Sequence, residues 1–188
     1  MTVAPAGTAP RTLTRAGGDG GAADPRPARR GLAALWLLAL ASASPASTGL
    51  AIDPTLACSL LDDQGLRVRE GYRDAGHRVS QCATVDHPVP RGATGGDAIR
   101  FSATGTRGQV RRLQLELALR SRGDVRPALE AFASLADLLS ARSLGHPLPT
   151  DARRAIATGL PGTWRTAGSE LALERIAGAV PSLRFVIR

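Results

Sequence analysis

The stretch that decides the predicted fold is residues 105–120, GTRGQVRRLQLELALR. Every second residue from Leu113 to Leu119 is leucine, and the residues between them are polar or small. A period of two is typical of a β-strand that buries one face and exposes the other. The glycines at the start of the stretch predict a turn. Together with the strand predicted at residues 98–103, the pattern predicts an antiparallel hairpin.

Two helices are predicted after this hairpin. Apolar residues recur every three or four positions over residues 125–139, which is the period of a helix with one buried stripe. Asp124 is suited to its start, and Gly145 to its end. A shorter helix is predicted to begin at Thr150 and to end at Gly159. Both stripes are interpreted as core-facing.

The remaining elements complete the predicted fold class. A short helix is predicted at Asp53 and Pro54, an N-cap followed by a proline at the first helical position. Further strands are predicted at residues 68–72, 77–85, 163–166, 170–176 and 183–187. Because strands come in runs rather than alternating singly with helices, the sequence predicts one α+β domain over residues 53–188. Its sheet is mostly antiparallel, with two or three helices packed on one face.

The charge balance is strongly basic. All 24 residues counted as Lys or Arg are arginine, and the formal net charge is +8. Such a balance is compatible with nucleic acid or an anionic surface. Arginines and acidic residues are mixed through residues 67–78, however, so a solvated surface of mixed sign is favoured. The few aromatic residues are too scattered for base stacking, and no nucleic-acid partner is expected.

The pattern of the N-terminal residues predicts an export signal. Residues 1–30 lack apolar periodicity and are predicted to be disordered. Arg29 and Arg30 then precede a short apolar run and a small-residue stretch with an Ala-x-Ala site, so residues 31–47 are predicted to hold the apolar core and cleavage region of a signal peptide. The protein is therefore expected to be exported, either periplasmic or secreted. The alternative is an inner-membrane anchor through residues 31–46.

The two cysteines, Cys58 and Cys82, are predicted to form a disulfide. An even pair in a small exported domain is most simply a disulfide, because the compartment is oxidising. The alternative is a metal site formed by His77, Cys82 and His87. On a strand the sulfur would point away from both imidazoles, so a chelate would need a bulge.

No catalytic residue, cofactor or metal is predicted. The mature chain contains no nucleophile, metal or phosphate-binding motif with the spacing of a known mechanism. The alternative is a small periplasmic hydrolase that uses His87 with Asp86, or His77 with Asp74, as an acid–base pair. Adjacent strand residues face opposite ways, so Asp86 and His87 would not meet unless the chain bends.

The favoured function is a small binding module, or a module that interacts with an unknown protein or component of the envelope. The apolar strand near the end of the chain is one candidate surface. If it lies at a sheet edge, Leu183, Phe185 and Ile187 belong to a strand that a partner could extend by β-strand addition. The alternative is a central strand that is already paired on both sides.

Several short motifs carry a resemblance to a known family. They are the leucine strand Leu113, Leu115 and Leu117, the interhelical turn Leu144, Gly145, Pro147, Leu148 and Pro149, and the C-terminal pieces Leu173, Glu174, Arg175, Pro181, Ser182, Leu183 and Arg184. From about residue 55 onward the chain resembles a family of uncharacterised exported or membrane-anchored bacterial proteins, a domain of unknown function. The resemblance implies export and one small α+β domain, and it implies no activity.

Overall fold

The computed structural model describes residues 50–89, 96–121 and 123–188. The disordered segment predicted for residues 1–30 and the signal peptide predicted for residues 31–47 lie outside this range.

The described residues form helices and strands in runs, as predicted. The helices are α1 (Pro54–Ala57), α2 (Arg126–Leu144) and α3 (Thr150–Thr158), and a 3-10 turn covers Asp62–Gln64. The strands are β1 (Arg73–Asp74), β2 (Ser80–Ala83), β3 (His87–Pro88), β4 (Ala98–Thr106), β5 (Gln109–Ala118), β6 (Gly162–Thr166), β7 (Ser169–Ile176) and β8 (Ser182–Ile187).

The eight strands form one sheet in which every pair is antiparallel. The strand order is β1-β2-β4-β5-β8-β7-β6, and β3 pairs with the same edge of β4 as β2 does. The predicted α+β class with an antiparallel sheet is therefore confirmed.

The alternation in β5 separates the two faces of the sheet. Leu113, Leu115 and Leu117 are fully buried, whereas Gln114 and Glu116 are partly exposed. The leucines share one core with Phe132 of α2 and with the buried residues of α3. The helices therefore cover the leucine face, and the polar residues lie on the opposite face.

The helix ends follow the local sequence. The side chain of Asp53 accepts a hydrogen bond from the backbone nitrogen of Thr55 at 2.7 Å, which caps α1. α2 ends at Gly145 and α3 at Gly159, with φ of 73° and 66°. Glycine is favoured at these positions because it adopts the left-handed conformation without a steric penalty.

The interpretation of the last strand as a free edge is wrong. β8 lies between β5 and β7, so Leu183 pairs with Leu117 on one side and with Arg175 on the other. Phe185 and Ile187 are likewise paired on both sides and fully buried. An apolar strand next to the leucine strand buries more surface in the centre of the sheet than at its edge, which favours the central position.

The strand predicted at residues 68–72 is also not formed. This segment contributes one isolated bridge, between Val68 and Thr84. On the side away from β4, β2 pairs with the two-residue strand β1. The hairpin between β1 and β2 turns at Gly76–Val79. The segment at 68–72 is mostly polar and exposed, so it buries too little surface to extend the sheet.

Candidate functional site

The hairpin of β4 and β5 contains a β-bulge next to its turn. Thr104 pairs with Arg112 and Gly105 pairs with Val110, so Arg111 is left without a partner in the ladder. The extra residue shifts the alternation, and Arg111 and Arg112 are both exposed while Val110 and Leu113 are both buried. Bulges re-aim side chains in this way, often beside functional sites. Here the bulge presents two consecutive guanidinium groups on one strand.

A second unusual backbone segment lies beside the bulge. The turn between β1 and β2 is closed by a 3.0 Å hydrogen bond from the nitrogen of Val79 to the oxygen of Gly76. Its two central residues, His77 and Arg78, both have positive φ, at 52° and 62°. This pair of conformations is that of a type I′ hairpin turn. Non-glycine residues in this region carry strain, and such residues cluster at functional sites.

Strand pairing brings the turn and the bulge together. Ser80, directly after the turn, pairs with Gly105 at the bulge. The two segments and the end of the chain enclose an open depression with a volume of about 590 Å³. We call this depression the basic groove. Its lining residues are His77, Arg78, Val79, Thr104, Gly105, Thr106, Arg111, Arg112 and Arg188.

The charge of the basic groove is not neutralised by the described residues. No carboxylate among them lies within 4 Å of the guanidinium groups of Arg78, Arg111 or Arg112. Arg188 is the exception, because its Nη2 lies 2.6 Å from Glu170 Oε1 and this hydrogen bond raises the pKa of Arg188. The groove therefore has three positive charges available for an outside partner.

Two carboxylates outside the groove, Asp63 and Asp86, are paired with other arginines. Asp63 forms two hydrogen bonds with Arg142 of α2, the second at 2.7 Å from Nη2 to Oδ2, and its pKa is lowered mainly by these bonds. Asp86 accepts hydrogen bonds from Arg100 at 2.6 Å and from Arg120 at 2.7 Å. The bonds to these arginines lower the pKa of Asp86. These pairs connect distant segments, and each of these arginines already has a carboxylate partner.

The three histidines are scattered over the fold. His77 lies in the turn beside the basic groove, and His146 lies exposed in the connection between α2 and α3. His87 lines an apolar cavity of about 210 Å³ between α2 and the sheet, and its ring packs on Gly65. In the described ranges 50–89, 96–121 and 123–188, none of the three imidazoles takes part in a hydrogen bond or ion pair.

The acid–base pairs considered from the sequence are not formed. Asp86 faces Arg100 and Arg120 on the polar side of the sheet, whereas His87 faces the cavity under α2. Asp74 accepts a hydrogen bond from the backbone nitrogen of Gly76 at 2.7 Å rather than from His77. The hydrolase alternative therefore has no assembled His–Asp pair in the part of the chain that the structure describes.

The predicted disulfide between Cys58 and Cys82 is confirmed, with the Cα atoms 6.0 Å apart. Both cysteines are buried, so the bond joins the end of α1 to β2 inside the core. A disulfide sulfur is no longer a thiolate ligand, so the proposed chelate of His77, Cys82 and His87 is not assembled. Across residues 50–89, 96–121 and 123–188, no group of three His, Cys, Asp or Glu side chains is placed to hold a metal ion.

No known protein family, curated protein or solved structure matches this chain. The resemblance to an exported bacterial family therefore stays a prediction, as does export itself. None of the helices formed by the described residues has the length and apolar character needed to cross a membrane.

The sequence alone does not indicate the basic groove, because its pattern of arginines and acidic residues favours a surface of mixed sign. One local signal was present, because Arg111 and Arg112 break the alternation just before the leucine strand. Two polar residues in succession between a buried valine and a buried leucine indicate a bulge. The proximity of Arg78, 33 residues earlier, has no local signal.

Proposed function

We propose that this protein is an exported binding module that holds an anionic partner in the basic groove. One observation carries this proposal. Arg78, Arg111 and Arg112 converge on one depression without a carboxylate partner among the described residues, whereas Arg100 and Arg120, which line another depression, are both paired with Asp86. Unpaired guanidinium groups bind phosphate, sulfate and carboxylate groups through charge-assisted hydrogen bonds.

The backbone supports binding rather than chance clustering. Both the type I′ turn at His77 and Arg78 and the bulge at Arg111 are special conformations, and each presents a positive side chain to the same depression. Since strain and bulges persist only where the surrounding structure holds them, their coincidence favours a site. The groove holds no assembled acid–base pair, so its chemistry suits recognition rather than bond cleavage.

Export is supported by the disulfide and by the apolar leader in the sequence. A buried disulfide in a small domain is typical of proteins from oxidising compartments. The loop it closes covers 24 positions and stabilises the fold by about 3 kcal/mol in the chain-entropy model. A binding module in the envelope or outside the cell benefits from this, because small domains are only marginally stable.

Elution from immobilised heparin, a polyanion, tests the proposed site. The triple variant Arg78→Gln, Arg111→Gln, Arg112→Gln is compared with a matched control, Arg67→Gln, Arg154→Gln, Arg165→Gln. All three control arginines are exposed and lie outside the groove, and the net charge of both variants is the same.

The groove variant is expected to elute at a clearly lower salt concentration than the wild type, and the control near the wild type. Equal losses in the two variants would show that binding follows net charge alone and would refute the groove as the site.

A further inference from the structure

We infer that the anionic partner of the basic groove is the headgroup surface of an anionic phospholipid membrane, an inference that rests on the proposed function. The groove is an open depression of about 590 Å³. Its arginines are exposed at one end of the fold. Because the groove is open and its arginines are exposed, they can contact the headgroups of a bilayer surface without enclosing a ligand. Juxtamembrane clusters of basic residues bind anionic lipids in this way.

The point at which the chain enters the fold supports a membrane over other polyanions. Leu50, the first residue described, donates a 2.9 Å hydrogen bond from its backbone nitrogen to the oxygen of Val110, directly beside the bulge. Leu50 also lines a depression with Arg188, which borders the basic groove. The polypeptide therefore joins the domain at its basic end.

The sequence before Leu50 adds the second argument. Only eight residues separate Ala41, the end of the apolar run, from Leu50. An extended chain spans at most about 3.5 Å per residue, so this linker reaches no more than about 30 Å. During export, or permanently if the leader is kept as an anchor, the basic end is the part of the domain tethered closest to the bilayer. An electrostatic match at that end strengthens membrane attachment.

The rim of the groove contains an apolar side chain suited to the same surface. Val79 lines the groove and is 41% exposed. Apolar residues flanked by arginines are favoured at the boundary between headgroups and acyl chains. A soluble phosphate chain would gain nothing from this residue.

Vesicle sedimentation tests the inference. The protein is produced by export in a bacterial host and purified in the form that the host delivers, so that all variants carry the same N-terminal residues. It is mixed with vesicles of phosphatidylcholine alone or with phosphatidylglycerol added, at low and at high salt. The groove variant Arg78→Gln, Arg111→Gln, Arg112→Gln and the control Arg67→Gln, Arg154→Gln, Arg165→Gln are compared with the wild type.

Each arginine near an anionic surface strengthens partitioning by about fivefold, so loss of three is expected to weaken binding to phosphatidylglycerol vesicles by roughly a hundredfold. The control is expected to bind within about threefold of the wild type. Binding of the wild type to phosphatidylglycerol vesicles should fall at high salt, and binding to neutral vesicles should be the same for all three proteins.

A second arm separates the two proposals. Inorganic polyphosphate is titrated against the same three proteins in place of vesicles. If the wild type binds polyphosphate but not phosphatidylglycerol vesicles, and the groove variant loses polyphosphate binding, the anion site is confirmed and the membrane inference is refuted. If the groove variant keeps both kinds of binding, the proposed function and the inference are both overturned.

Discussion

A Cβ atom on Gly105 would lie 2.1 Å from the backbone oxygen of Gln109, well inside the van der Waals contact distance. The nitrogen of Arg111 would be 2.8 Å away and the hydroxyl of Tyr72 2.7 Å away, so two of the three nearest atoms are main chain of β5. No side-chain rotation can relieve the clash with these main-chain atoms. The bulge that presents the arginines of the basic groove therefore requires glycine at position 105.

Replacement of this glycine is expected to damage the bulge. Gly105→Ala should lower the free energy of unfolding by about 2 to 4 kcal/mol, since a backbone clash must be relieved by moving strands. It should also weaken heparin binding. The control is Gly108→Ala, where a Cβ meets nothing within 4 Å and a change below about 1 kcal/mol is expected. Urea denaturation measures the unfolding free energies of the two variants, and equal midpoints would contradict the argument.

Asp97 is expected to be the most costly carboxylate to remove. It is 1% exposed, and its Oδ1 accepts hydrogen bonds from the backbone nitrogens of Arg120 at 2.7 Å and Ser121 at 2.8 Å. Its Oδ2 accepts the hydroxyl of Ser121 at 2.8 Å. Asp97→Ala leaves three donors unpaired, at a cost of about 2 to 4 kcal/mol in unfolding free energy.

The variant Ser121→Ala provides the comparison for Asp97. It removes only the hydroxyl bond and should cost about 1 kcal/mol. Both variants are measured by urea denaturation at neutral pH. The role assigned to the carboxylate fails if Asp97→Ala is no less stable than Ser121→Ala.

The Asp86 ion pairs predict a loss of stability in acid. Hydrogen bonds from Arg100 and then Arg120 lower the pKa of Asp86 in the folded state, whereas an unfolded aspartate has a pKa of about 3.9. Below that value the unfolded chain binds a proton that the folded chain does not, so folding is penalised as the pH falls. The contribution is complete above about pH 5 and is lost progressively below it.

Thermal unfolding between neutral pH and about pH 2 measures this contribution. Asp86→Asn should be less stable than the wild type at neutral pH and should lose less stability on acidification. Asp151→Asn, an exposed aspartate that makes no ion pair with another described residue, should keep the slope of the wild type. Parallel pH profiles for wild type and Asp86→Asn would exclude a net contribution from the pairs.

The disulfide is expected to supply a large part of the stability. Cys58→Ala with Cys82→Ala should lower the free energy of unfolding by about 3 kcal/mol, because the unfolded chain regains the freedom of the loop. The native protein should also react with no thiol reagent before reduction, as mass spectrometry after alkylation can show. Two alkylated thiols in protein purified without reductant would remove both the disulfide and the main support for export.

Local patterns in the sequence were sufficient for the fold class. The leucine alternation in β5 determined which face is buried, and the helical stripe in α2 determined where the longest helix lies. Both follow from backbone geometry over neighbouring residues, since strand and helix periods put apolar side chains on one face wherever the segment sits. The pairing of Cys58 with Cys82 followed because the chain has only two cysteines.

Only the tertiary structure decided the position of β8 and the location of the site. The period of a strand is the same at an edge and in the centre, so the alternation of Phe185 and Ile187 could not show that β5 and β7 flank them. The placement of each arginine is equally non-local: Asp86 reaches Arg120 across 34 positions, and Arg78 and Arg111 line the same groove only because β2 pairs with β4 and β4 pairs with β5. Sequence determines periodicity because periodicity is set by bonds between neighbours, whereas the charge that remains unpaired at a surface depends on which distant segments the sheet brings together.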